Sequence, residues 1–339
     1  MRPFVFATGG TAGHTNPAIA LEQKLKSPVV FAGHGLTASP HFKKGMHRTH
    51  SIPSAPLTSI KAPFVLLYGI YKAYRLLQKE GPKAVIGFGS YHSFPVLVAA
   101  YLLNIPIIIF EPNAVLGKVN RLFANVAHLV LSQFDLQIPS EKIEMPLKLQ
   151  GAITKEMAKK RYGLPCNDPV VLIFGGSLGA KVFEELTLPA GVEVIHFVGK
   201  NGDVEAVSAK YTSLGVPHFV GAYESEMEYA WKLADVAVTR SGALTVAEHL
   251  KMGVPTLFIP FPIASEDHQY FNAKKAGELF EGSFLLREEK LEDFPLLFEK
   301  LVTERALLQA SLKRNLASRS SMPTIPTAGT LSYTLFQLG

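Results

Sequence analysis

The 339-residue sequence contains one cysteine, Cys166, which excludes an internal disulfide and fits a reducing cytoplasm. Its N-terminus lacks the charged region, apolar stretch and cleavage site of a signal peptide, and Met1 to Ala7 reads as a first strand running into a glycine turn. No charged residue falls between Lys83 and Glu111, yet Gly87, Gly89, Ser90, His92, Pro95, Asn104 and Pro106 divide that interval into strand, turn, helix and strand. A membrane span of about twenty uninterrupted apolar residues is therefore not expected there. The three-glycine dinucleotide pattern with its following acid is missing, which disfavours NAD, and no Walker-type loop ending in Lys-Ser or Lys-Thr indicates ATP hydrolysis. There is no paired-aspartate motif and the 11 histidines are scattered, so neither a metal nor another cofactor is expected. RNA-binding and zinc-finger signatures are absent too, and nucleic acid is not expected as a partner.

Acid is the most unevenly missing ingredient. No Asp or Glu occurs from Gln23 to Lys79, while nine basic residues do: Lys24, Lys26, Lys43, Lys44, Arg48, Lys61, Lys72, Arg75 and Lys79. Residues 1–150 hold 15 Lys/Arg against 6 Asp/Glu, and the remainder 19 against 22. An anionic surface is implied for the first half. Within it, Phe64 to Leu77 sets aromatic and aliphatic groups beside Lys72 and Arg75, a pattern shared by an interfacial membrane helix and by a core-facing helix with solvated lysines.

The length exceeds one comfortable core and predicts two domains, 1–150 and 151–317, with a Ser/Thr/Pro/Gly-rich tail over 318–339 that either returns to the first domain or is mobile. Alternating patterns place strands at 3–7, 28–32, 83–87 and 106–110 and helices at 17–26, 64–79 and 95–103. Residues 134–154 read as the crossover, after which strands recur at 169–174, 192–198, 217–220, 235–239 and 255–259. The fold class expected is α/β, with two doubly wound Rossmann-like domains facing an interdomain cleft.

Arg240 to Glu248 is the most informative segment. It joins an apolar strand to a helix starting near Gly242 and stopped by Gly253, and the unpaired amides and macrodipole at such a start favour an anion. Ser241 and Thr245 offer hydroxyls, and Glu248 is suited to accept from ribose hydroxyls, so the pairing suggests a nucleotide. The plainer reading is a Ser N-cap on a core helix. Glycine turns follow strands at Thr8 to His14, Gly87 to Tyr91 and Gly175 to Ala180, where doubly wound sheets bind ligands.

Six ordered blocks resemble the GT-B glycosyltransferases, within them the enzymes that add N-acetylglucosamine to lipid I in peptidoglycan synthesis. They are Gly9-Gly-Thr-Ala-Gly-His14 with Asn16-Pro17-Ala18, Gly87-Phe-Gly-Ser-Tyr91 with Pro95, Glu111-Pro-Asn113 with Gly117 and Asn120, Gly175-Gly-Ser-Leu-Gly-Ala180, Ser241 to Glu248, and His268-Gln-Tyr-Phe-Asn-Ala273. Ala12, Pro112 and the run Pro146-Leu147-Lys148 depart from the family pattern, and Lys148 keeps a charge without arginine's fork. The resemblance implies UDP-GlcNAc as donor, with Ala243, Leu244 and Thr245 on the pyrophosphate, Val246 and Ala247 continuing that segment, and Glu248 on the ribose. It also implies the backbone near Glu224 on uracil, Gln269 on the sugar, Ser177 and Thr11 at the phosphates, and Asn113 and Lys148 completing the pocket. Ala12, Gly13 and Tyr91 join the substrate-contacting residues by the same resemblance. The implied acceptor is lipid I, and the implied location is the cytoplasmic face of an anionic membrane, peripherally bound.

An inverting transfer needs a base for the sugar hydroxyl and positive potential for departing UDP. His14, after a glycine turn, is the best base on sequence, and Glu111 is the second candidate. Ordinary structural roles remain open: a helix cap for Ser177, and backbone-bonded loop amides for Gln269 and Asn113. Competing functions are another GT-B lipid glycosyltransferase, a UDP-sugar epimerase, a noncatalytic nucleotide module on membranes, and an α/β-hydrolase, since Gly175 to Gly179 formally fits a nucleophile elbow around Ser177.

Overall fold

The computed structural model describes residues 1–319 apart from 11, 37–41, 43–44, 57–59, 148 and 150, and of Ala12, Ser265 and 316–319 the backbone alone. The chain forms two compact units, passing from the first to the second at Lys148–Leu149. The tail expected over 318–339 lies outside the described residues from 320 on.

The first unit carries β1 (Phe4–Ala7), α1 (Ala12–Lys24), β2 (Val29–Gly33), β3 (Arg48–Ser51), α2 (Ala62–Glu80), β4 (Ala84–Gly87), α3 (Phe94–Leu102), β5 (Ile107–Glu111), α4 (Lys118–Phe123), β6 (Leu129–Ser132) and β7 (Glu141–Lys142). Its strands form one parallel sheet in the order β3-β2-β1-β4-β5-β6-β7. β1, β2, β4 and β5 are buried at every residue, which is why they read as apolar runs without alternation.

The second unit contains α5 (Lys155–Tyr162), β8 (Val170–Phe174), α6 (Lys181–Glu185), β9 (Glu193–Phe197), α7 (Val204–Ser213), β10 (His218–Gly221), α8 (Met227–Leu233), β11 (Val236–Thr239), α9 (Ala243–Met252), β12 (Thr256–Phe258), α10 (His268–Leu279), β13 (Ser283–Leu285), α11 (Phe294–Thr303) and α12 (Arg305–Arg319). The sheet order is β10-β9-β8-β11-β12-β13, again parallel throughout. Both units are thus doubly wound, with strand order reversing beside β1/β4 and beside β8/β11. Ligands of such sheets bind past the strand ends at that reversal.

The first helix departs from the expected 17–26: it starts at Ala12 and carries Pro17 inside. Missing an amide hydrogen, Pro17 removes one internal bond, which the rest of a thirteen-residue helix tolerates. β3, β6, β7 and β13 were not anticipated, being short and, in β3 and β7, half exposed. α2 places Ala62, Leu66, Gly69, Ala73, Leu76 and Leu77 against the core and leaves Phe64, Leu67, Tyr68 and Tyr71 more than half exposed. Among the described residues no helix is long and apolar enough to cross a membrane, the 84–110 interval included.

Candidate active site

At the reversal of the second sheet, β11 ends at Thr239 and α9 starts after an N-cap at Gly242. No side chain caps it. Ser241, wholly buried, instead donates to the Gln269 carbonyl at 2.8 Å, so it neither caps the helix nor offers its proton to a ligand. The first helical bond runs from Val246 N to Gly242 O at 3.0 Å. The amides of Leu244 and Thr245 precede that rung and keep the anion-binding orientation of a helix start. Val246 and Ala247 carry the same segment on with buried side chains, and the Val246 amide is taken up by the helix. Arg240 is turned inward, donating to the Ile259 and Pro260 carbonyls at 3.0 and 2.9 Å and pairing with Glu288.

Glu248 lies one turn further along α9. Its only hydrogen bond among the described residues comes from Trp231 Nε1 at 3.0 Å. Burial pushes its carboxyl up to about 7, and the Trp231 bond offsets only part of this. Glu248 is half-buried, and a carboxylate with one donor has acceptor capacity to spare for a vicinal diol. The Glu224 side chain is differently employed: Arg161 grips it bidentately at 2.7 and 2.9 Å, and Tyr162 and the Glu226 amide add bonds of 3.0 and 2.9 Å. That latch fixes the 221–226 backbone, and the Tyr162 phenol is pushed up chiefly by burial. Gln269 Oε1 accepts from Phe261 N at 3.0 Å, which fixes the amide flip and leaves its NH₂ group without a partner among the described residues.

After β8, Ser177 is exposed in the turn and α6 starts at Lys181 beyond an uncapped Ala180, so Ser177 is not a helix cap. Two turns interlock here, since a Cβ on Gly179 (φ 85°) would fall 1.9 Å from the Val198 carbonyl oxygen. The hydrolase reading fails on geometry: Ser177 does not have the positive φ of a strained elbow, and no helix follows it directly.

In the first unit the reversal gathers the turns after β1 and β4. His14 sits in the first turn of α1, where its Nδ1 lies 2.9 Å from the Phe88 carbonyl. A carbonyl only accepts, so Nδ1 carries the proton and Nε2 the lone pair. Thr8 Oγ1 secures the same residue by donating to the His14 carbonyl at 2.9 Å. Glu111 ends β5 and is buried. Its Oε1 accepts from Asn113 N and Nδ2 at 3.0 and 2.9 Å, and Oε2 from Gly117 N and Asn120 Nδ2 at 3.0 and 2.9 Å. Burial pushes this carboxyl up against those four bonds. Four donors on its two oxygens tie Glu111 to the 111–120 loop.

Sequence reasoning passed over His92, which is 7 % exposed and packs under the glycine turn: a Cβ on Gly9 or Gly10 would come within 2.8 Å of it. His92 also stacks on His34 and touches Tyr91, with ring centroids 5.6 and 3.9 Å apart. Burial first, then His34 and His14, lowers its imidazole to about 4, so it stays neutral. Trp231 was missed as well, having no signal beyond being the one tryptophan. Gly13 is exposed, while Thr11 and Lys148 lie outside the described residues.

Comparison with known proteins decides the family. The description "Glycosyltransferase family 28 N-terminal domain" matches residues 4–132 and "Glycosyltransferase family 28 C-terminal domain" residues 170–322. The chain belongs to glycosyltransferase family 28. Family 28 thus accounts for both units, and the fold is GT-B. A relative 31 % identical over 335 residues, covering 89 % of each chain, is the UDP-N-acetylglucosamine–N-acetylmuramyl-(pentapeptide) pyrophosphoryl-undecaprenol N-acetylglucosamine transferase of Protochlamydia amoebophila (strain UWE25). Among solved structures, Acinetobacter baumannii MurG superposes with a TM-score of 0.76 at 26 % identity, over 99 % of this chain and 100 % of that one. The calicheamicin glycosyltransferase CalG4, with a TM-score of 0.71 at 13 % identity over 100 % and 99 % of the two chains, shares the fold.

Proposed function

We propose that this family 28 enzyme transfers N-acetylglucosamine from UDP-GlcNAc to lipid I, giving lipid II. The observation that carries this reading is the pairing of the α9 start with Glu248, in a chain similar over 89 % of its length to a relative that bears this enzyme name. The pyrophosphate lies on the Leu244 and Thr245 amides with the Ala243 turn, Glu248 accepts the ribose hydroxyls, and the Gln269 NH₂ donates to the sugar. The backbone held by Glu224 faces uracil. His14 Nε2 takes the proton of the acceptor hydroxyl as it attacks the anomeric carbon, and UDP leaves with the electron pair of the glycosidic bond. Glu111 positions Asn113 and Asn120 and is not the base. Fixed amides at the helix start stabilise the charge developing on UDP.

Peripheral attachment to the cytoplasmic face of an anionic membrane is part of the same proposal. It is supported by the exposed apolar face of α2 and its flanking Lys61, Lys72, Arg75 and Lys79. The deciding experiment is incubation with labelled UDP-GlcNAc and a lipid I analogue in excess EDTA, in which labelled lipid II is the expected product. Labelled UDP-GlcNAc left intact, or converted to its epimer without transfer, would remove the reading.

A further inference from the structure

A groove of about 410 Å³ lies at the edge of the first sheet, lined by His50, Ser51, Ile52, Tyr71, Lys72, Arg75 and Leu76. It joins the C-terminal end of the edge strand β3 to α2 and borders the exposed Phe64, Leu67, Tyr68 and Tyr71 stripe. Its cations are not matched by acid. Arg75 has no hydrogen bond or ion pair among the described residues, Lys72 has only the Tyr68 ring at 5.3 Å, and the nearby Glu80 accepts on both oxygens from Arg48 Nη2 at 2.9 and 3.0 Å. The imidazole of His50 is likewise without a hydrogen bond among the described residues. A guanidinium fork, an ammonium, an imidazole, the Ser51 hydroxyl and a phenol converging on one groove make a donor set for a tetrahedral oxyanion.

We infer that this groove seats the phosphate of one anionic glycerophospholipid headgroup, with the α2 stripe lying among the acyl chains beside it. The inference rests on the membrane attachment proposed above and adds to it a specific seat. The source is a lipid because the groove opens beside an exposed apolar stripe that a free phosphate would leave in water. His50 makes the seat pH-sensitive. Burial, with Arg48 and Lys79, lowers its imidazole below the ordinary value and Glu80 opposes this, while Lys72 and Arg75 add positive charge along the groove. A bound phosphate favours the imidazolium, so binding takes up a proton and strengthens as pH falls.

Flotation of the full-length chain with phosphatidylcholine vesicles, with and without phosphatidylglycerol, tests this. Recovery on the anionic vesicles should rise from about pH 8 to about pH 6, and His50→Gln should abolish that rise. Arg75→Gln should lower the partition coefficient about fivefold or more, whereas Lys26→Gln, an equal charge loss outside the groove, should lower it less. Equal losses for Arg75→Gln and Lys26→Gln, or an unchanged pH dependence in His50→Gln, would mean that attachment follows net charge and no seat exists. Wild-type protein that fails to float on anionic vesicles at any pH would overturn the attachment itself. Abolition of flotation by millimolar inorganic phosphate, at ionic strength matched with chloride, would make the groove a site for soluble phosphate instead.

Discussion

Burial gives Glu248 two consequences of opposite sign. In the free enzyme its carboxyl, pushed up to about 7, holds a proton that the unfolded chain releases near its ordinary value of about 4.3. Its contribution to stability is therefore full below that ordinary value and is lost as pH rises through about 7. In the ribose role proposed for Glu248 the ionised form is the acceptor, so UDP affinity should fall up to tenfold per unit as pH drops below about 7, with a proton released on binding. Calorimetry in two buffers of different ionisation heat measures that release, and Glu248→Gln should bind more weakly with no pH dependence. Trp231, the one tryptophan, bonds to this carboxylate, so its fluorescence should follow the same titration and change on adding UDP. His14 and Glu111 separate by the same kind of measurement. His14→Ala should lose about 10²- to 10⁴-fold in kcat. Glu111→Gln replaces acceptors by a donor facing Asn113 N, Gly117 N or Asn120, and should lower stability by about 1–3 kcal/mol while keeping the shape of the kcat against pH profile. A profile that loses its acidic limb in Glu111→Gln would restore Glu111 as the base.

At the scale of elements, the two turns that interlock beside β8 make a sharper test than the helices do. Gly179 combines φ 85° with a carbonyl oxygen 1.9 Å from where a Cβ would be, whereas Gly176 has φ 90° and open space around it. Gly176→Ala should therefore cost only the left-handed strain of about 1–2 kcal/mol, and Gly179→Ala more than that because two turns must separate. Urea unfolding midpoints at constant slope report the difference. The same contrast explains what was legible in the sequence. Strands buried on both faces, such as β1, β4 and β8, announce themselves as apolar runs, and the glycine turns mark the sheet reversals. The edge strand β3, Arg-Thr-His-Ser, carries no such signal, because its partner and not its own residues makes it a strand. Of the donor-side residues, Glu248 stood out by its place one turn after Leu244. Val246 and Ala247 did not reveal from sequence that the helix ladder already uses the backbone there, and the Glu224 latch needs Arg161, 63 residues away in the chain.

For the whole molecule, charge asymmetry and exposed apolar surface coincide on the first unit. The acid-free span from Gln23 to Lys79 includes all of α2 but its last residue, Glu80; on that helix the outward Phe64 is 79 % exposed and Leu67, Tyr68 and Tyr71 follow it at helical spacing on the same face. Residues that a monomer leaves in water at some cost are best accounted for by a surface that takes them up, and the flanking Lys61, Lys72, Arg75 and Lys79 suit an anionic one. Each cation near such a surface contributes about 1 kcal/mol, and each large apolar side chain transferred out of water about 1.5–3 kcal/mol. The two parts respond to salt differently, because screening acts on the charges and leaves apolar insertion intact. Phe64→Ser with Leu67→Ser should thus reduce vesicle flotation more than tenfold and make the residual binding steeply salt-sensitive. Lys72→Gln with Arg75→Gln should instead leave a weaker component that is less salt-sensitive than that of the unaltered chain. Thermal melts establish that each variant is folded, as expected for residues that point away from the core. If the Phe64/Leu67 variant floats as well as the unaltered chain, the α2 stripe does not enter the bilayer.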